Sequence, residues 1–340
     1  MEKGGFNQEK YSLLFDNIPN VTPEIEGLEV LRVWVFGLGC GGIAIAIANH
    51  HILGDGAALS DIATSIGKAC VDPEYEPVAM WTSREQKHEM LVASSKGVQV
   101  DDSFDRHLKE LIPTITDNML ETQGRLGMYQ FGLNADSLRR LKELAIRGNG
   151  RGEGCSTNDM VAALFWRAHT RALVSHGSKS EYTYTGAPKD LRRSVGGTNY
   201  LGNMIILCHM YATKSFVLDN ELVVVARLMR KYMQNGSAAG FLQFIEAVNR
   251  GAPDVLTVLF GTDSPSAGFS NLTRFPARVV DFGMGEMGSM QLRAIYAPYV
   301  VHALDDGANG YLTTICLPPS MLAAFLNDEV FMSYADQVNY

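Results

Sequence analysis

The sequence predicts a soluble mixed α/β protein, and three observations support this fold class. Strand-length apolar runs alternate with helical patterns along most of the chain. The 340 residues are 46% hydrophobic and 19% charged, enough for one large core or two ordinary ones, and two domains are the better expectation. The chain also lacks internal repeats and low-complexity tracts, which argues against a solenoid or a disordered protein.

The first elements of the chain predict a hairpin followed by a helix. Residues 28–36 and 43–48 are apolar runs of strand length on either side of a glycine-rich turn. The second run leads directly into His50 and His51, and residues 57–70 repeat apolar side chains at helical spacing. The two histidines are therefore expected at a strand-to-helix junction, where side chains project from a fixed edge.

Strands and helices are expected to alternate through the rest of the chain. Residues 82–118 are more polar and predict a helix and a surface connection. Strands are predicted for MYQFGL, YTYTGAP, NMIILCHMYAT and GYLTTICLP. Helices are predicted for NADSLRRLKELAIRGN, STNDMVAALFWRAHTRALVSHG, ELVVVARLMRKYMQ and SMLAAFLNDEVFMSYA. Asn134 or Asp136 is expected to cap the first of these helices, and Ser156 or Thr157 to start the second.

Composition argues against several classes of partner. A formal charge of −8 disfavours nucleic acid, because phosphate binding needs a basic surface. The five cysteines are scattered without a CxxC pair, as in proteins of a reducing cytoplasm. Residues 30–48 are apolar, but Arg32 and the glycine cluster argue against a membrane span. We expect a cytoplasmic protein with no membrane or nucleic-acid partner.

Three other interpretations of the region around His51 stay open. Gly37–Gly42 matches the glycine pattern of a dinucleotide-binding turn, yet the IAIAIA that follows has the period of a strand, so a hairpin explains it as well. His50, His51 and Asp55 could bind a metal, but no second cluster of ligand residues accompanies them, and no metal is expected. A histidine beside an apolar strand is also often a core residue.

Several motifs together resemble the acyl-CoA-dependent acyltransferases of the BAHD family. His50–Gly56 (HHILGDG) resembles the HHxxxDG motif of that family, and Asp281–Gly285 (DFGMG) resembles its DFGWG motif. Four further segments lie between these two motifs in the family's order. They are STNDMVAALFWRAHTRA at 156–172, DLR at 190–192, YLGN at 200–203, and SNLTRFP at 270–276 in the place of SSWxxxP. The likeness runs from about residue 10 to the end, and among members the sequence resembles fungal enzymes such as trichothecene 3-O-acetyltransferase.

The resemblance implies two chloramphenicol acetyltransferase-like domains, each a mixed β-sheet flanked by helices, with a channel at their interface. Residues 1–85 would be the remainder of the N-terminal domain, 86–120 the crossover segment and 121–340 the C-terminal domain. Relatives carry a longer segment before HHxxxDG than the 49 residues found here. The first domain is therefore expected to be roughly 100 residues shorter than the first domain of relatives.

The resemblance also implies the chemistry. His51 would be the general base that takes the proton of an alcohol as it attacks the thioester of acyl-CoA. An imidazole suits this step because its ordinary pKa lies near neutrality. Asp55 would turn away from the substrate and pair with an arginine, for which Arg192 is the candidate. Acyl-CoA, by analogy acetyl-CoA, would be a co-substrate, and no permanently bound cofactor is expected.

Other residues receive supporting roles from the same resemblance. His50, Gly56, Arg192, Asp281 and Gly283 would give the site structural support. Substrate-binding roles would fall to Ser270, Leu272 and Asn203.

Two departures from the family motifs have expected consequences. Leu272 replaces the Trp of SSWxxxP and offers no donor to an oxyanion, which leaves Ser270 as the candidate donor. Met284 replaces the aromatic of DFGWG and is expected to fill its space less rigidly.

Two hypotheses on function follow. The first is a monomeric acyl-CoA-dependent O-acyltransferase that modifies a hydroxyl, or less readily an amine, of a small secondary metabolite. The second is a family member without turnover. A weaker third, a nicotinamide-dependent enzyme, rests on the Gly37–Gly42 turn alone.

Overall fold

The computed structural model describes residues 30–77, 82–99, 127–148, 154–195, 200–250, 267–275, 280–285, 287–288, 290–292 and 299–338. The strands are β1 (Leu31–Gly37), β2 (Ile43–Asn49), β3 (Gly127–Leu133), β4 (Tyr182–Asp190), β5 (Ile205–Thr213), β6 (Ala267–Asn271), β7 (Val300–Asp305), β8 (Tyr311–Leu317) and β9 (Asp336–Val338). The helices are α1 (Gly56–Val71), α2 (Thr82–Ser95), α3 (Ala135–Gly148), α4 (Thr157–Ser175), α5 (Lys214–Asp219), α6 (Leu222–Asn235), α7 (Ala238–Asn249), α8 (Pro319–Leu326) and α9 (Glu329–Met332).

The hairpin predicted ahead of His51 is present. Strands β1 and β2 pair antiparallel, and Leu38 N donates to Gly42 O over 2.8 Å to close the turn. A dinucleotide-binding turn would need a helix directly after the glycines. The glycines lead into a strand instead, so the nicotinamide interpretation of Gly37–Gly42 is wrong. After β2 a short loop carries His50 and His51, and α1 begins at Gly56.

The other sheet has seven strands in the order β5-β4-β6-β7-β8-β3-β9. The β4–β6 and β6–β7 pairs are parallel and the other pairs are antiparallel, which confirms the expected mixed sheet. Helix α4 lies in the main core on one face of this sheet. Phe165 on α4 meets Phe331 at a centroid distance of 5.0 Å, and Phe331 meets Phe131 on β3 at 5.1 Å. Edge-to-face aromatic contacts of this kind stabilise the core beyond what the burial of the rings contributes.

Both helix starts that the sequence suggested are formed by local caps. Ser156 begins α4 in a capping box, in which its main-chain N–H donates to Asp159 Oδ2 over 2.7 Å and its hydroxyl accepts from Asp159 N. Asn134 caps α3, because its Oδ1 accepts from Ser137 N over 2.9 Å. Caps of this type stabilise a helix by about 1 kcal/mol each.

A row of polar residues crosses the other face of the seven-stranded sheet. Ser270 on β6 is in register with His302 on β7, and His302 is in register with Thr314 on β8. Thr314 in turn pairs with Gln130 on β3, whose Nε2 donates to Thr314 Oγ1 over 3.1 Å. Side chains paired across neighbouring strands share one face. We call these four residues the polar row.

The last predicted helix is wrong in one respect. SMLAAFLNDEVFMSYA forms two helices, because the side chain of Asp328 accepts from Val330 N and Phe331 N and so starts α9 anew. The sequence also did not predict β6, β7, β9, α5 or α7. Strands as short as Ala267–Asn271 carry too few residues for a clear period.

The predicted domain boundaries stay a prediction. The structure confirms a helix in the polar segment after residue 82, as α2, while residues 100–126 of the crossover region lie outside the described part. Within the described ranges, the helices are all too short or too polar to cross a membrane.

Candidate active site

The loop from His50 to Asp55 is held by its own hydrogen bonds. Asn49 Nδ2 donates to Gly54 O over 3.0 Å, and Ile52 N donates to His50 Nδ1 over 3.1 Å. Burial lowers the pKa of His50, and the charge of neighbouring His51 lowers it further. The His50 ring therefore stays available as an acceptor inside the turn, while His51 is exposed on the loop surface.

Asp55 is the most heavily bonded residue of this loop. It is 4% exposed and caps α1, because its Oδ1 accepts from Ala57 N and Ala58 N, both over 3.1 Å. Arg192 donates two parallel hydrogen bonds to the same carboxylate, from Nη2 to Oδ1 over 2.8 Å and from Nη1 to Oδ2 over 3.0 Å. Met204 N adds a bond of 2.9 Å to Oδ2. The predicted Asp55–Arg192 pair is therefore present, and it joins segments 137 residues apart.

The other bonds of Arg192 bring two further motifs to the same point. Its Nε donates to Tyr200 O over 3.2 Å, its Nη2 to Gly202 O over 2.7 Å, and its Nη1 to Asp190 Oδ1 over 3.2 Å. Burial acts to lower the pKa of Arg192, but the hydrogen bonds and charges of Asp55 and Asp190 outweigh it and raise the pKa. The guanidinium is a permanent cation that ties the DLR and YLGN segments to the His51 loop.

Asn203 holds the main chain of His51. Its Nδ2 donates to His51 O over 2.8 Å, so the residue predicted to bind substrate uses its amide group on the loop. The two segments also approach closely at their glycines, since a Cβ on Gly54 would lie 3.5 Å from Gly202 Cα and only 2.4 Å from Ala58 Cβ. A larger residue at position 54 would clash with Ala58 on α1, whereas its contact with Gly202 would be an ordinary one.

Leu272 packs against the start of α1. A Cβ on Gly56 would lie 3.1 Å from Leu272 Cδ2 and 3.1 Å from a ring carbon of Phe275. Gly56 is the first residue of α1 and does not have a positive φ, so its backbone conformation does not require a glycine. A glycine suits this position because the Cβ of any other residue would crowd the Leu272 side chain. Leu272 N also donates to Ala303 O over 2.8 Å, which keeps the ends of β6 and β7 beside the loop.

His302 is a residue of this region that the sequence did not single out. It lies beside Ser270 in the polar row. Burial lowers its pKa to about 4. A hydrogen bond with the Val300 backbone acts to raise this pKa, and the charge of His51 acts to lower it. Its Nδ1 is buried and makes no hydrogen bond within the described part of the chain. The sequence held one signal, a lone polar residue in the apolar run YVVHAL.

The DFGMG segment forms a tight local loop. Asp281 Oδ1 accepts from Gly283 N over 2.8 Å and from Met284 N and Gly285 N, both over 3.0 Å. Gly283 and Gly285 have φ angles of 87° and 89°, a region that side chains disfavour. Met284 is 54% exposed, so the expectation that it fills the space of an aromatic residue is wrong.

This loop rests on the C-terminal half of α1. A Cβ on Gly67 would lie 2.5 Å from Val280 Cγ1 and 2.7 Å from Asp281 O, so only a glycine fits at this contact. Helix α1 thus runs from the HHILGDG loop at its start to the DFGMG loop near its end.

As for metals, the described residues contain no cluster of three or more His, Cys, Asp or Glu side chains able to hold an ion.

Comparison with known proteins places this arrangement in a family. The model of the Transferase family matches residues 7–332. The chain is 24% identical over 320 residues to 3'-N-debenzoyl-2'-deoxytaxol N-benzoyltransferase of Taxus canadensis, covering 88% of this chain and 66% of that protein. It is 22% identical over 291 residues to putrescine hydroxycinnamoyltransferase of Oryza sativa subsp. japonica, covering 78% of this chain and 62% of that protein. The chain therefore spans less than two thirds of the length of these relatives.

Solved structures show the same fold. F. sporotrichioides TRI101, complexed with coenzyme A and T-2, superposes with a TM-score of 0.75 at 18% identity, covering 94% of this chain and 73% of that one. Vinorine synthase gives a TM-score of 0.66 at 15% identity, with coverages of 96% and 72%. The shared architecture is a mixed sheet flanked by helices, as the sequence predicted. Since the family model matches nearly the whole chain, the protein belongs to the transferase family of BAHD acyltransferases.

Proposed function

We propose that this protein transfers an acyl group from acyl-CoA to a hydroxyl group of a small secondary metabolite, with His51 as the general base. One observation carries the proposal, namely the buried Asp55–Arg192 pair that holds the His51 loop against a distant segment. An aspartate with every oxygen engaged in this way serves the loop, which leaves the exposed His51 as the proton-accepting group. The solved relative with bound coenzyme A supports an acyl-CoA donor.

The reaction needs one proton to move twice. His51 takes the proton of the acceptor hydroxyl while the oxygen attacks the carbonyl carbon of the thioester. The tetrahedral intermediate then collapses, the C–S bond breaks, and the imidazolium returns the proton to the thiolate of coenzyme A. This sequence needs no covalent acyl-enzyme, and positioned acid–base help of this kind raises a rate by roughly 10²–10⁴.

Asp55 and Asn203 would serve catalysis by holding the His51 loop in place. Asp55 fixes the exit of the loop into α1, while Asn203 fixes the main-chain carbonyl of His51 itself. Neither of these contacts uses the imidazole of His51, so the ring stays available for substrate. A catalytic group held in place in this way loses little entropy on reaching the transition state.

The main experiment measures thiol release from acetyl-CoA and longer acyl-CoA donors with a panel of alcohols. We expect His51→Ala to lower kcat by at least about 100-fold, since it removes the general base. His176→Ala is the matched control, because His176 is an exposed histidine that caps the end of α4. Release that is absent, or equal in the parent and His51→Ala, would contradict the proposal and favour the family member without turnover.

An amine acceptor is the second candidate. The names of two relatives, an N-benzoyltransferase and a putrescine hydroxycinnamoyltransferase, favour it. The same panel should therefore include primary amines matched in carbon skeleton to the alcohols. A kcat/KM higher for the alcohol of each pair would support the hydroxyl, and the reverse would assign N-acylation.

We further propose that the protein acts in the cytoplasm as a monomer, with domain boundaries near residues 85 and 120. The free thiols of Cys40, Cys70, Cys155, Cys208 and Cys316 support a reducing compartment. Light scattering of the purified protein tests the monomer directly, and limited proteolysis near the two boundaries tests the domains.

A further inference from the structure

Two neighbouring strand ends of the seven-stranded sheet meet the start of α1. Strands β4 and β6 are parallel, so their carboxyl ends, Asp190 and Asn271, lie at the same edge of the sheet. The first end supplies Arg192, which binds Asp55, the cap of α1. The second end supplies residues 271–275 of the SNLTRFP segment, which we call the β6 turn. The reaction above uses the first contact and assigns no role to the second.

The β6 turn packs directly on the first residue of α1. A Cβ on Gly56 would lie 3.1 Å from Leu272 Cδ2 and 3.1 Å from Phe275 Cε2. Both distances are tighter than ordinary van der Waals contact, so the two side chains leave no room between themselves and the helix. Because close-packed groups transmit displacements, a shift of the turn moves Gly56, which directly follows Asp55.

One side chain, that of Asn271, ties this turn to α4. Its Oδ1 accepts from Thr273 N over 2.9 Å and from Thr273 Oγ1 over 2.7 Å, while its Nδ2 donates to Asn158 Oδ1. Asn158 is the second residue of α4, between the cap residue Ser156 and the run of buried residues that begins at Asp159. The Asn271 amide thus joins the turn to a helix that is anchored in the main core.

The main-chain N–H of Thr273 fixes which way the Asn271 amide points. This N–H can only donate, so the Asn271 oxygen must face it and the Nδ2 group must face α4. Asn158 then has to present an oxygen, as it does. The direction of the hydrogen bond between the two amides is therefore set by the backbone, and a change at either partner has a definite outcome.

We propose that Asn271 is a positioning residue of the reaction, whose amide bonds hold the β6 turn against the start of α1 and thereby fix the His51 loop relative to the sheet. This role rests on the proposed function. Asn271 acts through Leu272 and Phe275 and needs no contact with substrate. Because a displacement of about 1 Å in a catalytic group can cost roughly 10²-fold in rate, a side chain at this distance can control kcat.

A double-mutant cycle tests the hydrogen bond itself. Asn158→Asp keeps an oxygen facing Asn271 Nδ2, and Asn271→Asp lets the Asn158 amide turn and donate, so each single variant retains the bond. In the double variant two carboxylates face each other and the bond is lost. At about pH 8, where carboxylates are ionised, we expect the single variants to keep kcat within about 2-fold of the parent. The double variant should lose roughly 10- to 100-fold in kcat with KM unchanged.

A second pair of substitutions controls for the added charge. Asn134→Asp with Gln234→Glu places the same two charges at exposed positions, before α3 and on α6, and should leave kcat at the parent value. All proteins are assayed well below their Tm, so that loss of folded protein does not lower kcat. A loss in the Asn158, Asn271 double variant equal to the product of the single losses would overturn the positioning role, and so would a lower Tm with kcat unchanged.

Amide hydrogen exchange measures the same contact without turnover. Ala57 N and Ala58 N bond to Asp55 at the start of α1, and they should exchange faster in the double variant than in either single variant. If no acyl-CoA is turned over but this exchange follows the cycle, the proposed function is wrong and the contact stands. If turnover depends on His51 while neither kcat nor exchange responds to the cycle, the function stands and the positioning role is wrong.

Discussion

The HHILGDG and DFGMG loops both meet helix α1, and they use their aspartates in opposite ways. Asp55 at the start of α1 is buried, and its five hydrogen bonds reach two residues of the helix and two residues of a distant segment. Asp281, near the other end, is exposed and bonds to the three glycine-loop N–H groups that follow it. The first carboxylate joins separate parts of the chain, whereas the second shapes only its own turn.

The difference decides which atoms matter in each motif. At the first loop the side chain carries the contact, through a charge pair shielded from water. At the second loop the main chain carries it, because Asp281 O and Val280 press against Gly67. Three substitutions test this contrast, from the largest expected effect to the smallest.

Removal of the Asp55 carboxylate should have the largest effect. Asp55→Ala leaves the buried Arg192 cation without its partner, and loss of one member of such a pair costs about 3–5 kcal/mol. We expect a matching drop in the free energy of unfolding, measured in urea, together with loss of activity. The double variant Asp55→Ala, Arg192→Met should be more stable than Asp55→Ala alone, since no unpaired charge remains. An unchanged urea midpoint in Asp55→Ala would show that the pair stabilises neither the loop nor the fold.

A side chain at the second contact should have an intermediate effect. Gly67→Ala places a methyl group against Val280 and the Asp281 carbonyl, and overpacking of this kind costs about 1–3 kcal/mol. Gly240→Ala in α7 is the matched control, because its Cβ would meet Ile206 Cδ1 at an ordinary 3.4 Å. Calorimetry should show a lower Tm for Gly67→Ala, and an equal or higher Tm for Gly240→Ala. A Tm unchanged by Gly67→Ala would mean that α1 and the DFGMG loop move apart at little cost.

Loss of the Asp281 carboxylate should have the smallest effect. The N–H groups of Gly285, Gly283 and Met284 lower the pKa of Asp281, so its ionised form is stabilised in the folded protein. That stabilisation is present above the ordinary carboxyl pKa of 3.8 and is lost as the pH falls through the lowered value. Asp281→Ala should therefore lower Tm slightly at pH 7, less than Gly67→Ala does, and the difference should vanish in strong acid. A drop in Tm larger than that of Gly67→Ala would reverse the comparison.

Sequence patterns predicted the local parts of this site well, for a physical reason. The strand-to-helix junction at His51 and the Asn134 and Ser156 caps rest on short motifs with a local geometry, whereas the Asp55–Arg192 pair, which joins distant segments, was predicted only from the family resemblance. The polar row could not be predicted in the same way. Its four residues come from strands far apart in sequence, and only the register of the folded sheet brings them together.

Other misses have the same origin in tertiary context. Met284 was expected to pack like the aromatic residue it replaces, yet it lies exposed between two glycines with positive φ angles. The break at Asp328 was hidden because its helical stretch is apolar on both sides.

The anchoring of the His51 loop has a consequence for motion. Within the described part of the chain, the side-chain bonds that hold the loop act on the His51 carbonyl, the His50 ring, the Gly54 carbonyl and the Asp55 carboxylate. The exposed imidazole can still rotate about its own side-chain bonds, which takes picoseconds to nanoseconds at such positions. Enzymes commonly turn over about 10 times per second. The ring thus has ample time to collect a proton at one atom and reorient toward another while the backbone beneath it stays still.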